Sequence, residues 1–150
     1  DHLNGQTVTI TADGLVQSNQ VVTGGAVTLS APANNVEIGL PFTHIVEPLP
    51  PSAIANNGAG RAIRMVEAVF RVKDTAAVTL DVGRGLDDVP LRDFDLTPIL
   101  NAPIEPVSRD IAVRAFGWSK DQTKPLWRIE QSTPLPFTLL SVTTELKVND

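Results

Sequence analysis

Polar and apolar residues alternate in short bursts along this chain. Thr7-Val8-Thr9-Ile10-Thr11 has the two-residue period of a strand with one buried face. Ala12-Asp13-Gly14 follows with the chemistry of a tight turn. Val21-Val22-Thr23 and Ala26-Val27-Thr28-Leu29 flank Gly24-Gly25, which predicts a two-residue hairpin. Val36-Glu37-Ile38-Gly39-Leu40 alternates again, and Pro41 cannot donate to a central ladder, so Phe42 to Val46 reads as an extended edge segment. These elements make an N-terminal β module within residues 1–50. Residues 48–60, PLPPSAIANNGAG, sustain no period and read as a loop or linker.

The second half, residues 61–150, opens on an ambiguous run. In Arg61 to Lys73, Ile63, Val66, Val69 and Phe70 fit a helical stripe, whereas Arg64, Val66, Ala68, Phe70 and Val72 fit one face of a strand. Three valines, a phenylalanine and no helix cap favour the strand. Ala77 to Val82 reads as its antiparallel neighbour across Lys73-Asp74-Thr75. Residues 83–110 predict a long excursion with little regular structure. Ile111 to Phe116, Leu126 to Glu130 and Phe137 to Leu146 complete a C-terminal β module. Twelve prolines and ten glycines leave few windows for a helix. The expected fold is all-β, an antiparallel β-sandwich or two small packed β modules, which 1–150 could also form as one domain.

Composition narrows function mainly by exclusion. The 150 residues suffice for one sizeable core. A formal net charge of -5 with no basic block argues against a nucleic-acid-binding surface. No apolar run is long enough for a helical membrane span. The absence of cysteine removes disulfides, thiolate metal sites and a cysteine nucleophile. A first residue of Asp rather than Met reads as a piece of something longer.

Candidate chemistry is sparse. His2 and His44 lie far apart and lack a nucleophile or orienting acid in any triad pattern, so His44 reads as a wall or edge residue. Asp81, Asp87, Asp88, Asp93 and Asp95 form the densest acidic stretch, but their spacing fits no calcium loop, and Arg84 and Arg92 are interleaved as ion-pair partners. Gly83-Arg84-Gly85 lacks the context of a phosphate loop. Trp118 and Trp127, with Phe116, could stack on a sugar, although core packing suits them better. The inventory demands neither catalysis nor a cofactor.

The opening DHLNGQTVTITADG, then VVTGGAVTL, then APANNVEIGLPF ending near Pro48-Leu49-Pro50 resemble a recurring series in structural proteins of tailed bacteriophages. His2, Leu3, Gly5, Thr7, Val8, Ala12, Asp13, Gly14, Gly24, Gly25, Gly39, Leu40, Pro41 and Phe42 stand at the matching places. Arg61-Ala62-Ile63-Arg64 and Pro134-Leu135-Pro136-Phe137-Thr138-Leu139-Leu140 extend the likeness to the second half. The series is similar to that of the tail nozzle, or packaged-DNA stabilisation, proteins of short-tailed phages. That resemblance implies a non-enzymatic virion protein of the tail nozzle or hub, a homo-oligomer contacting other tail proteins, with no sequence-specific hold on nucleic acid. Its motif residues would then be structural, the glycines serving turns and Pro41, Pro134 and Pro136 shaping the approach to strands. Two other readings stand beside it. One is a carbohydrate-binding β-sandwich stacking glycans on Trp118 or Trp127, and the other a glycoside hydrolase fragment using Asp87 or Asp93.

Overall fold

A computed structural model describes residues 2–50, 62–91, 102–115, 117–119, 121 and 123–148. Ten strands run through them: β1 (Thr7–Ala12), β2 (Leu15–Val21), β3 (Val36–Gly39), β4 (His44–Val46), β5 (Ile63–Thr75), β6 (Thr79–Asp81), β7 (Leu86–Asp88), β8 (Val107–Arg114), β9 (Arg128–Gln131) and β10 (Leu139–Val148). Among the described residues there is no helix, and so none long and apolar enough to cross a membrane. The strands form three antiparallel sheets, ordered β2-β1-β3, β10-β5-β8 and β4-β9-β6-β7. The all-β expectation of packed β modules holds. Most of the 48–60 stretch lies outside the described residues.

The first sheet is built on local turn chemistry. Ala12 pairs with Leu15 across Asp13 (φ 50°) and Gly14 (φ 78°), the left-handed pair that suits a two-residue hairpin to the twist of its strands. The Asp13 carboxylate also accepts hydrogen bonds from the Asn34 and Asn35 amides, and the Asp13 amide donates to Asn35 O. The turn thereby fixes the start of β3. Gly24 and Gly25 (φ 61° and 77°) make the second expected turn, closed by reciprocal bonds between Thr23 and Ala26.

Beyond Ala26 no ladder continues. Residues 27–30 cross the face of the sheet instead, where Val27 and Leu29 pack over Val8, Ile10 and Val22. Side chains hold them there. Gln20 donates through Nε2 to Thr28 O (2.6 Å) and accepts from the Thr28 amide through Oε1 (3.1 Å), so its carboxamide takes the part of a strand peptide. Gln17 accepts from the Ser30 amide. The two glutamines, three apart, share this face because β2 carries one extra residue between the pairs Val8↔Gln20 and Ile10↔Gln17. Gln20→Ala is expected to lower stability by about 1 kcal/mol, in line with loss of a reciprocal hydrogen-bonded pair. Amide hydrogen exchange should speed up at Thr28 while Ile10 stays protected; unchanged exchange at Thr28 would refute the role.

The other two sheets face each other as a sandwich. Ala68, Phe70 and Val72 of β5 and Ile111 of β8 meet Leu80 of β6 and Ile129 of β9, with Val78, Val82 and Trp127 beside them. The strand reading of β5 is correct, but its buried face is not the one run expected from Arg64 to Val72. An extra residue near Val66 shifts the β5–β10 register between Met65 and Glu67. Ile63 and Met65 are therefore buried before the shift and Ala68, Phe70 and Val72 after it, while Arg64 and Val66 are only half-buried.

Two pairings differ from expectation. β6 does not lie beside β5, whose two edges are taken by β10 and β8; it pairs with β7 and β9 in the opposite sheet. Asp74 (φ 45°) bulges β5 and binds Ser108 of β8, so Lys73-Asp74-Thr75 serves the β5–β8 register rather than a hairpin to β6. The segment after Pro41 does form an edge strand, yet β4 joins β9 of the C-terminal half rather than the first sheet. Among its described residues the expected excursion at 83–110 contains one short strand, β7, and the first half of β8, which begins at Val107 rather than near Ile111; residues 92–101 lie outside the described residues.

Candidate interaction surface

The motif residues gather at three places. His2 is exposed in the N-terminal turn, next to Asn4 and Gly5, which tie that turn to the second glycine turn: the Gly25 amide donates to Asn4 Oδ1 and the Gly5 amide to Val22 O. Asp13 and Gly14 lie at the other end of the sheet. A methyl group on Gly14 would sit 3.1 Å from Pro103 Cβ, so this turn closes against the C-terminal half. Gly39 ends β3.

The third place joins residues more than 90 positions apart. Pro41, from the β3–β4 connection, and Pro134 and Pro136, from the β9–β10 connection, line one groove of about 440 Å³. Phe42 and His44 meet edge to face there, ring centroids 4.5 Å apart. His44 is an edge-strand residue, as its isolation in sequence suggested. Gln131, 2% exposed, also lines the groove, and its Oε1 has no hydrogen-bond partner among the described residues. Exposed apolar side chains are frequent in and beyond the groove: Val36, Ile38, Leu40, Phe42, Ile45, Val46 and Leu49 are all exposed, Phe42 at 67% and Leu49 at 90%. Exposed apolar side chains this frequent in one stretch of sequence make it the candidate contact region of the described residues. Sequence reading places Val36 to Leu40 and Phe42 to Val46 on extended segments and Leu49 in a loop; only the fold shows that these side chains stay exposed.

Charged groups are tied up in structural roles. Asp81 Oδ1 accepts the backbone amides of Gly83, Arg84 and Gly85, which makes it the anchor of the β6–β7 turn. Asp88 accepts from the Thr79 hydroxyl, and Asp87 stands 3.9 Å from Arg84. Among the described residues no group of His, Asp and Glu is arranged to hold a metal ion; Arg92, Asp93 and Asp95 lie outside them. Arg71 grips Asp110 with two bonds of 2.7 and 2.9 Å, which lower the Asp110 carboxyl from the usual range and raise the guanidinium. Hydrogen bonds from Thr123 lower Asp121, and the bond to Glu130 raises Arg128. Arg71, Asp110 and Asp121 are solvent-exposed and Arg128 and Glu130 half-buried, so the exposed pairs add little to stability.

The two tryptophans part company. Trp127, 9% exposed, packs edge-on against Phe70 at 5.4 Å and belongs to the core, which leaves it no free face for a sugar. Trp118 is 43% exposed. Phe116 lies outside the described residues. No protein-family model and no curated protein sequence matches the chain.

Proposed function

We propose that this chain is a non-enzymatic structural domain of a phage tail protein, of nozzle or hub type, working in tail assembly and in the wall of the DNA conduit. The frequency of exposed apolar side chains between Val36 and Leu49 is the observation that carries this reading. A domain that acts by being packed against neighbours must leave such surface open until assembly covers it. The net charge of -5 supports the same reading, because an acidic wall repels passing phosphate while keeping unassembled chains soluble. The sequence resemblance supplies the virion class, with the homo-oligomer and the neighbouring tail proteins as partners.

The test is the light-scattering mass of a longer parent chain, wild type against Phe42→Ser with Leu49→Ser. Exposed positions tolerate these changes, so folding persists and a multi-subunit mass should fall well below that of the wild type. A parent that is monomeric from the outset would overturn the reading. Trp118 favours a second reading, a glycan-binding module, because an exposed indole can stack on a sugar. Glycan retention lost on Trp118→Ala would establish that alternative.

A further inference from the structure

We propose that β8 is a self-complementary edge through which two copies of this chain join their sheets. β8 is the outer strand of its sheet, paired on one side with β5. The Ala115 amide donates to Val66 O, so the odd-numbered residues of β8 aim their peptide groups at β5. Asp110, Ala112 and Arg114 therefore aim theirs away from it. Their side chains are exposed on one face, opposite Arg71, Val69 and Glu67 of β5 respectively.

A second copy related by a two-fold axis through Ala112 sets Ala112 against Ala112, and Asp110 against Arg114 at both ends. Two complete rows of charge then run across four strands. One reads Arg71, Asp110, then Arg114 and Glu67 of the second copy; the other is the same row reversed. Every neighbour carries the opposite sign. The row between them is Val69 and Ala112 from each copy, uncharged, so it sets no charge against the second copy. Opposite charges directly across an antiparallel pair are favourable and like charges are not, so this register is selected over its neighbours. Shifting the axis to Asp110, for example, would set that carboxylate against its own copy. The contact also satisfies a strand edge that no other described strand pairs with. It is isologous and closes at two copies, which distinguishes it from the head-to-tail contacts of a ring.

This pairing extends the tail reading by naming one contact, but it rests on β8 alone and is tested separately, by sedimentation velocity of the 150-residue chain. Wild type should form dimers that salt weakens. Arg114→Asp faces Asp110 with a second carboxylate, and Asp110→Arg faces Arg114 with a second guanidinium; each alone should weaken dimerisation by about tenfold or more. An equimolar mixture of the two variants restores both opposite-charge pairs and should recover the dimer. Ala112→Pro removes an amide that β5 does not use, so the monomer keeps its strand content by circular dichroism while the dimer is lost. A monomeric wild type at all concentrations, or variants that dimerise as wild type does, overturns the pairing. The mass of the parent chain would still decide the tail reading.

Discussion

Phe70→Ala should cost about 3–5 kcal/mol of unfolding free energy, the largest effect of any single truncation considered for this chain. Phe70 is 1% exposed at the middle of β5, the strand flanked by β8 and β10. Its ring stands perpendicular to that of Trp127, so truncation removes both buried area and an edge-to-face contact worth roughly 0.5–1.5 kcal/mol. The surroundings have little freedom to fill the gap, because Ala68 and Val72 on the same face are short and the sheet opposite is fixed through Leu80 and Ile129. Urea unfolding followed by tryptophan fluorescence reads the change, and Trp127 reports from the site itself. Phe70→Leu keeps most of the volume and should cost clearly less. A loss below about 1.5 kcal/mol for the alanine variant would mean that the two sheets do not share this core.

The next largest effect is expected at a buried hydroxyl. Thr75 is fully buried at the end of β5; its Oγ1 accepts from the Thr138 amide (3.1 Å) and lies 3.0 Å from Lys73 O and 3.4 Å from Thr138 O. Together with Lys73 N to Thr138 O and Ala76 N to Pro136 O, it latches the turn after β5 to the proline-rich approach to β10. Thr75→Val preserves the shape but leaves the Thr138 amide without its acceptor, a loss of about 1–3 kcal/mol. Thr75→Ser keeps the oxygen and should retain more stability than valine. If valine proved the more stable of the two, the methyl group and not the hydroxyl would be what the site requires. The comparison also bears on Pro134 and Pro136: Pro136 is part of this latch through its carbonyl and Pro134 lies two residues before it, both lining the groove.

Local chemistry was the legible part of this sequence. Asp13-Gly14 and Gly24-Gly25 turn as expected because left-handed backbone is a property of those residues themselves. The identity of β5 as a strand was legible for a similar reason, its valines and phenylalanine fitting a pleated surface. Partner choice was not. Nothing within Ala77 to Val82 records that both edges of β5 are taken by strands from beyond residue 106. The shift at Val66 was equally hidden, because an extra residue changes which face is buried without interrupting the run of apolar side chains. Gln17 and Gln20 look like ordinary solvent-facing residues until the β2 bulge turns both toward one crossing segment. Of the candidate surface, the prolines and Phe42 were visible as a motif, but their meeting depends on one three-residue pairing, β4 with β9.

That pairing bears on how the chain comes together. Ile45 pairs with Glu130, 85 positions later (130 − 45), so the last sheet closes only after a long loop has been gathered, at an entropic cost that rises slowly with loop length. β9 lies between β4 and β6. Severing the chain near residue 50 would leave the C-terminal piece with an open hydrogen-bonding edge on β9 and the N-terminal piece with an unpaired tail that matches it. The two halves are thus each other's template, and the natural product of such a cut is reassociation of the pieces rather than two independent domains.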